Sequence, residues 1–206
     1  DTFYKRSRKS ARAHLGLDPD RLYVLTIAQD VNDKRKGTHC LTEAVKGLGQ
    51  EVTLISVGRG SLPSLPLDTI EWGSVSKPEE LAEIYSAADL LVVTSLEDNQ
   101  PNTILESMAS GTPVLAFEAG GIPEMFVHGA HGWLVERGHI QKLSEKLTEL
   151  LADKNRLHEA GERAAAWVYS HFSREKQVLA YLQCLDRFLQ TNTSPENLPQ
   201  SSCSSN

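Results

Sequence analysis

Cysteine is scarce in this chain and poorly placed for cross-linking. Its three cysteines in 206 residues, Cys40, Cys184 and Cys203, lie far apart, are odd in number and form no CxxC pair. A disulfide framework or a cysteine-ligated zinc site is therefore unsupported, and a reducing cytoplasmic setting is the natural expectation. Long apolar runs are missing too: none approaches the ~18 residues that a membrane span needs. The opening stretch, DTFYKRSRKSARAHLG, carries basic residues without the apolar centre of a signal peptide. Positive charge is in deficit, with 21 Lys and Arg against 27 Asp and Glu and a net charge of −6. Sequence-independent nucleic-acid binding needs a dense basic field, so it is not expected. No internal repeat is visible. No local Ser–His–Asp or Cys–His arrangement suggests a nucleophile. His128, His131 and His139 cluster, but their spacing lacks the other ligands of a metal site, and no metal is expected.

What is present is an ordinary globular mix, 40% hydrophobic and 23% charged, enough for one buried α/β domain. Short runs rich in strand formers recur: Leu22–Ala28, Glu51–Val57, Thr69–Val75, Leu90–Thr94, Thr112–Phe117 and Gly132–Val135. Between them lie helical segments over Ser10–Leu15, Thr38–Gly47, Glu79–Ala88 after Pro78, from Pro101 to about Ser110, and a short one after Pro123. Three more close the domain: His139–Ala152, Asn155–His171 and Arg174–Leu189. Strand–helix alternation predicts a doubly wound, Rossmann-like parallel sheet with right-handed crossovers and helices on both faces. Trp72 and Trp167 fall on periodic segments and read as core. Residues 1–190 make the domain. The remainder, 191–206, is dominated by Ser, Asn, Pro and Gln and is expected to be a disordered tail.

In such sheets ligands sit beyond the carboxyl ends of the strands, so the strand-to-helix loops are the places to search. Arg35 and Lys36 stand beside Gly37 at the mouth of a helix. Cations next to free backbone N–H groups suit a phosphate, although a charge run alone is most often solvated surface. In Ser95–Glu106 (SLEDNQPNTILE), acids stand on both sides of a helix start. Carboxylates facing a cleft accept sugar hydroxyls well. By itself, Asp98 reads equally well as a helix cap and Glu106 as a surface charge. Gly120-Gly121 allows a close backbone approach, and Gly58-Arg59-Gly60 reads as a tight turn with Arg59 near a ligand.

The ordered combination is more specific than its parts. LEDNQPNTILESMASGTPVLAFEAGGIPEMFVHGAHGWLV resembles the signature region of the retaining glycosyltransferases of the GT-B fold, family 4 (group 1). The family's acid–x7–Glu pattern corresponds to Asp98 and Glu106, its A-x-x-G-x-P-V strand to Ala109–Val114, and its GG-x-x-E turn to Gly120–Glu124. Upstream, Tyr85, Ala88, Asp89 and Ser95 resemble its Y-x-x-A-D-strand-S segment, and DKRKG its phosphate loop. The likeness runs from about Asp1 to Leu189.

The resemblance implies the donor-binding, C-terminal half of a GT-B enzyme, transferring a sugar with retention from a nucleotide-sugar to a glycan or lipid-linked acceptor. By carry-over, Glu106 holds the ribose hydroxyls and Arg35 and Lys36 neutralise the diphosphate. The amides near Asn99, Asn102 and Thr103 cradle its oxygens, and the loop at Gly73–Val75 meets the base. The catalytic position facing the sugar falls on Asp98 or Glu97: the family usually has Glu first, and this chain has Asp98 with Glu97 beside it. Where relatives carry an Arg about six residues before the Lys, Asp30 stands here. The donor is a substrate, and no cofactor is implied. An N-terminal acceptor-binding domain is the expected missing partner, a peripheral membrane association would run through it, and this fragment alone is expected to be inactive. The rival of another class is a nucleotide-sugar-binding or regulatory domain that kept the fold without the activity.

Overall fold

The computed structural model describes residues 2–192, with the side chains of 190–192 left aside. By internal contacts it divides into a unit ending at Tyr169 and a second beginning at Ser170. The first unit holds six strands: β1 (Leu22–Asp30), β2 (Val52–Arg59), β3 (Asp68–Gly73), β4 (Leu90–Val93), β5 (Val114–Glu118) and β6 (Gly132–Glu136). All are parallel, in the spatial order β3-β2-β1-β4-β5-β6. Its helices are α1 (Arg8–His14), α2 (Thr38–Ala44), α3 (Pro78–Ala87), α4 (Asn102–Ala109) and α5 (Ile140–Leu151), followed by α6 (Lys154–His171), whose last two residues fall past the boundary. The doubly wound Rossmann-like sheet is therefore as expected.

The sheet is legible residue by residue. β4 reads Leu-Leu-Val-Val and all four are buried, as a central strand covered on both faces must be. Along β1, alternate side chains serve opposite faces. Leu22 and Val24 join the core with Leu41, Leu54, Val92, Phe117, Trp133 and Leu147, while Tyr23 and Leu25, equally buried, point the other way. Each such aliphatic burial stabilises by about 1.5–3 kcal/mol. Pro78 opens α3 at a position where its missing N–H costs nothing. Pro113 lies just before β5, where its carbonyl accepts from Leu91 N–H of β4 at 3.0 Å and its missing N–H falls at the strand start.

Some details differ from expectation. Gly58 and Arg59 are not a turn. They continue β2, at a register irregularity opposite the end of β1. The helix after Gly37 is a true α-helix only to Ala44 and tightens to a 3-10 turn over Val45–Gly47, where glycine weakens propagation. Trp72 and Trp167 are only partly buried, and each indole N–H finds an acceptor: Glu80 for Trp72 at 3.1 Å, and the Met125 carbonyl for Trp167 at 3.0 Å. The core tryptophan is Trp133, 1% exposed.

The second unit carries α7 (Arg174–Asn192), which extends past the expected end at Leu189. Leu179, Tyr181, Leu182 and Leu185 on it are exposed. The expected tail over 191–206 is corrected at its start, since residues 191 and 192 belong to α7; the rest of it, with Cys203, lies outside the described residues. No helix among the described residues is long and apolar enough to cross a membrane.

Candidate functional site

The strand order fixes where a ligand belongs. From β1 the chain winds outward through β2 to β3. It then returns to β4 beside β1 and winds the other way through β5 to β6. The loops leaving β1 and β4 diverge, and a crevice opens at their carboxyl ends. Those loops contain Arg35–Gly37 and Ser95–Pro101.

Hydrogen bonds tie the two loops together. Leu96 N–H donates to the Arg35 carbonyl at 2.7 Å, and the Thr94 hydroxyl donates to the Lys36 carbonyl at 3.1 Å. Gly37 adopts φ 63° at the head of α2, and a Cβ there would strike the Thr94 carbonyl, so only glycine lets the loops come this close. The contact brings Lys36 Nζ within 2.7 Å of Asp98 Oδ2, which also accepts from the Ser95 hydroxyl at 3.4 Å. From the far side, Gly120 and Gly121 back directly onto the Asp98 and Asn99 carbonyls, where side chains would collide. Three of the four stretches singled out in sequence thus meet at one place.

The predicted residues do not all behave alike. Arg35 is engaged by its own loop: its guanidinium hydrogen-bonds Asp33 Oδ1 at 3.2 Å and Oδ2 at 2.8 Å. That bond holds the Asp33 carboxyl below its ordinary range and raises Arg35 further. Glu97 is exposed, whereas the Asp98 side chain is only 16% exposed. Asn102 and Thr103 form the start of α4, where Pro101 offers no side-chain cap and the first amides lack helical partners. Asn99 is exposed just upstream.

Glu106 lies in the second turn of α4, half-buried, accepting from the Tyr85 hydroxyl at 2.9 Å. Burial pushes its carboxyl above the ordinary value, and the Tyr85 hydrogen bond partly offsets this. At the carboxyl ends of β1 and β2, a mainly apolar cavity of about 410 Å³ is lined by Ile27, Ala28, Val57, Arg59, Val75 and Leu81. Val75 therefore lines this cavity together with Ser74, while Gly73 ends β3 just before it at φ 74°.

Other conspicuous residues are structural. His128, His131 and His139 accept through Nδ1 from the backbone N–H groups of Leu134, Val127 and Lys142 at 3.1, 3.3 and 3.2 Å. Among the described residues no cluster of three or more His, Cys, Asp or Glu is placed to hold a metal ion. Asp89 accepts from Arg12 Nη2 and from Tyr23 N–H, both at 2.7 Å, and so fastens α1 to the sheet. The sequence assigned no role to Tyr85 or Asp89. The helical spacing shows that Tyr85 faces inward, but not what its hydroxyl meets.

Comparison with known proteins gives the family and the fold. Residues 21–153 match the family described as "Glycosyl transferases group 1". The chain is 32% identical over 181 residues to the lipopolysaccharide core biosynthesis glycosyltransferase LpsE of Rhizobium meliloti, covering 84% of this chain and 52% of that protein. Its structure resembles sucrose-phosphate synthase from Thermosynechococcus elongatus, with a TM-score of 0.78 and 27% identity over 92% of this chain and 50% of the other. The fold also matches Anabaena HepE, solved in complex with UDP-glucose, with a TM-score of 0.71 and 23% identity over 92% of this chain and 54% of the other. The chain thus spans about half the length of each.

Proposed function

Because the chain belongs to the glycosyl transferases of group 1, we propose that it is the donor-binding half of a retaining glycosyltransferase. The observation that carries this reading is the convergence of Lys36 and Asp98, from two different loops, in the crevice at the β1/β4 switch point.

Each part of a nucleotide-sugar finds matching chemistry there. The base enters the cavity beside Val75 and Leu81. The half-buried Glu106 carboxylate accepts the ribose hydroxyls. Lys36 and the uncapped amides at Asn102 and Thr103 meet the diphosphate, which must carry extra negative charge as it leaves. Arg35 joins them by exchanging its Asp33 partner for phosphate. Asp98, rather than the exposed Glu97, faces the sugar. The scheme assigns neutralisation of the diphosphate to these groups and not to a metal ion. HepE, solved with UDP-glucose, supports a uridine nucleotide, and the role named for LpsE supports a glycan or lipid-linked acceptor.

Transfer needs donor and acceptor held in contact, and much of the rate comes from that positioning. We assign the acceptor side to the part of its longer relatives that this chain does not span. The exposed apolar residues of α7 support a further contact surface of that kind. Saturation-transfer NMR of the chain against UDP-, GDP- and ADP-sugars tests the proposal. One series should receive saturation at base and ribose, and Glu106→Ala should abolish it. Absence of transfer to every donor would refute the donor-binding role.

A further inference from the structure

Tyr85 is fully buried on α3 and spends its hydroxyl on Glu106. Its backbone carbonyl accepts from the Thr112 hydroxyl at 2.6 Å, and Phe3 meets its ring edge-on at 5.9 Å between centroids. The ring is therefore fixed independently of Glu106. An ionised carboxylate has about four acceptor positions. Tyr85 takes one on Oε2 from the core side. This leaves Oε1, and the remaining position on Oε2, for hydroxyls arriving from the crevice.

Resting on the ribose role assigned to Glu106, we propose that Tyr85 is the positioning residue of the donor site, which locks the plane of the Glu106 carboxylate so that its free lone pairs meet the ribose hydroxyls. It never touches the ligand and acts only through Glu106. The hydrogen bond also favours the charged form of a carboxyl whose proton affinity burial raises. Tyr85 is itself pushed well above its ordinary value by burial and by the Glu106 charge, so it remains a donor. The surrounding elements offer Glu106 no substitute. β4 carries no titratable group, and β5 carries only Glu118, exposed at its end. On α3, Glu79 is exposed, while Glu80 engages Trp72 and Glu83 engages His14.

The test uses the chain with UDP and 2′,3′-dideoxy-UDP as probes. Tyr85→Phe keeps the ring and its packing and removes only the donor. By calorimetry it should weaken UDP binding roughly tenfold at neutral pH, as for loss of a hydrogen bond to a charged group. It should leave dideoxy-UDP unaffected. In the ligand-free chain, the NMR titration midpoint of the Glu106 carboxyl should move to higher pH, and the acid-side loss of UDP affinity should move with it. In the wild-type chain, the Tyr85 hydroxyl proton should shift on adding UDP and stay in place on adding the dideoxy analogue, a readout that needs no variant. Unchanged UDP affinity in a folded Tyr85→Phe chain, or a hydroxyl proton indifferent to UDP, overturns the positioning role. If Glu106→Gln binds UDP as the wild type does, or the wild type does not bind UDP, the ribose reading beneath it fails instead.

Discussion

Lys36 Nζ and Asp98 Oδ2 stand 2.7 Å apart across two loops that are 62 residues apart in sequence. The cation assigned to phosphate and the acid assigned to sugar are each other's partners. A diphosphate must therefore compete with Asp98 for Lys36. Asp98→Asn removes the competitor and is expected to tighten binding of plain UDP about fivefold, the scale of a partly exposed ion pair of ~1 kcal/mol. Lys36→Ala should weaken it, and added salt should weaken UDP far more than uridine. Calorimetry at two salt concentrations decides. An Asp98→Asn chain that binds UDP no better than wild type would show that the pair does not oppose phosphate.

Glu106 should cost stability at neutral pH. Its folded carboxyl is raised above the ordinary 4.5, burial being the main cause. The folded state therefore binds the proton more tightly than the unfolded state. Stability from this group is fully present below pH 4.5 and is lost as pH rises through the folded value. Glu106→Gln removes the charge, so it should melt higher than wild type at pH 7, with the difference shrinking toward pH 4. Thermal melts across this range check the sign. A variant less stable at pH 7 than at pH 4, relative to wild type, contradicts it.

The Arg12–Asp89 pair is a stability element remote from the crevice. Arg12 is 5% exposed and also donates to the carbonyls of Ala87, Pro19 and Arg21. Asp89→Ala strands a buried guanidinium and leaves Tyr23 N–H without its acceptor. The expected loss is about 3–5 kcal/mol in urea denaturation. A loss under about 1 kcal/mol would mean that water replaces the carboxylate, as at exposed pairs.

Gly37→Ala should damage both fold and site. It adds strain at φ 63° and drives a methyl group into the Thr94 carbonyl. A cost of about 1–3 kcal/mol is expected from the backbone alone, with UDP affinity falling as Lys36 is displaced. Gly16→Ala is the control, since φ is 67° there but open space surrounds the glycine. Equal melting losses and intact UDP binding in both variants would deny the loop contact any special role.

The sequence by itself determined the architecture, because periodicity is a local property. Four consecutive apolar residues in β4 and the prolines at strand and helix starts identify their elements without long-range information. It also made Asp98, Glu106 and Lys36 candidates by their residue types, and the ordered family motifs around them, not their local chemistry alone, gave them roles. The tertiary structure decided the partnerships. Lys36 reaches Asp98 only because Gly37 admits the Thr94 carbonyl, while Arg35, one residue away, is held by Asp33. Gly58-Arg59-Gly60 carries turn residues, yet the ladder to β1 keeps Gly58 and Arg59 in a strand. Tyr85 and Glu106 are 21 positions apart, and their hydrogen bond exists because α3 and α4 pack side by side. Spacing along one element is written in the sequence, but which side chains meet across elements is set by the packing of the sheet and its helices.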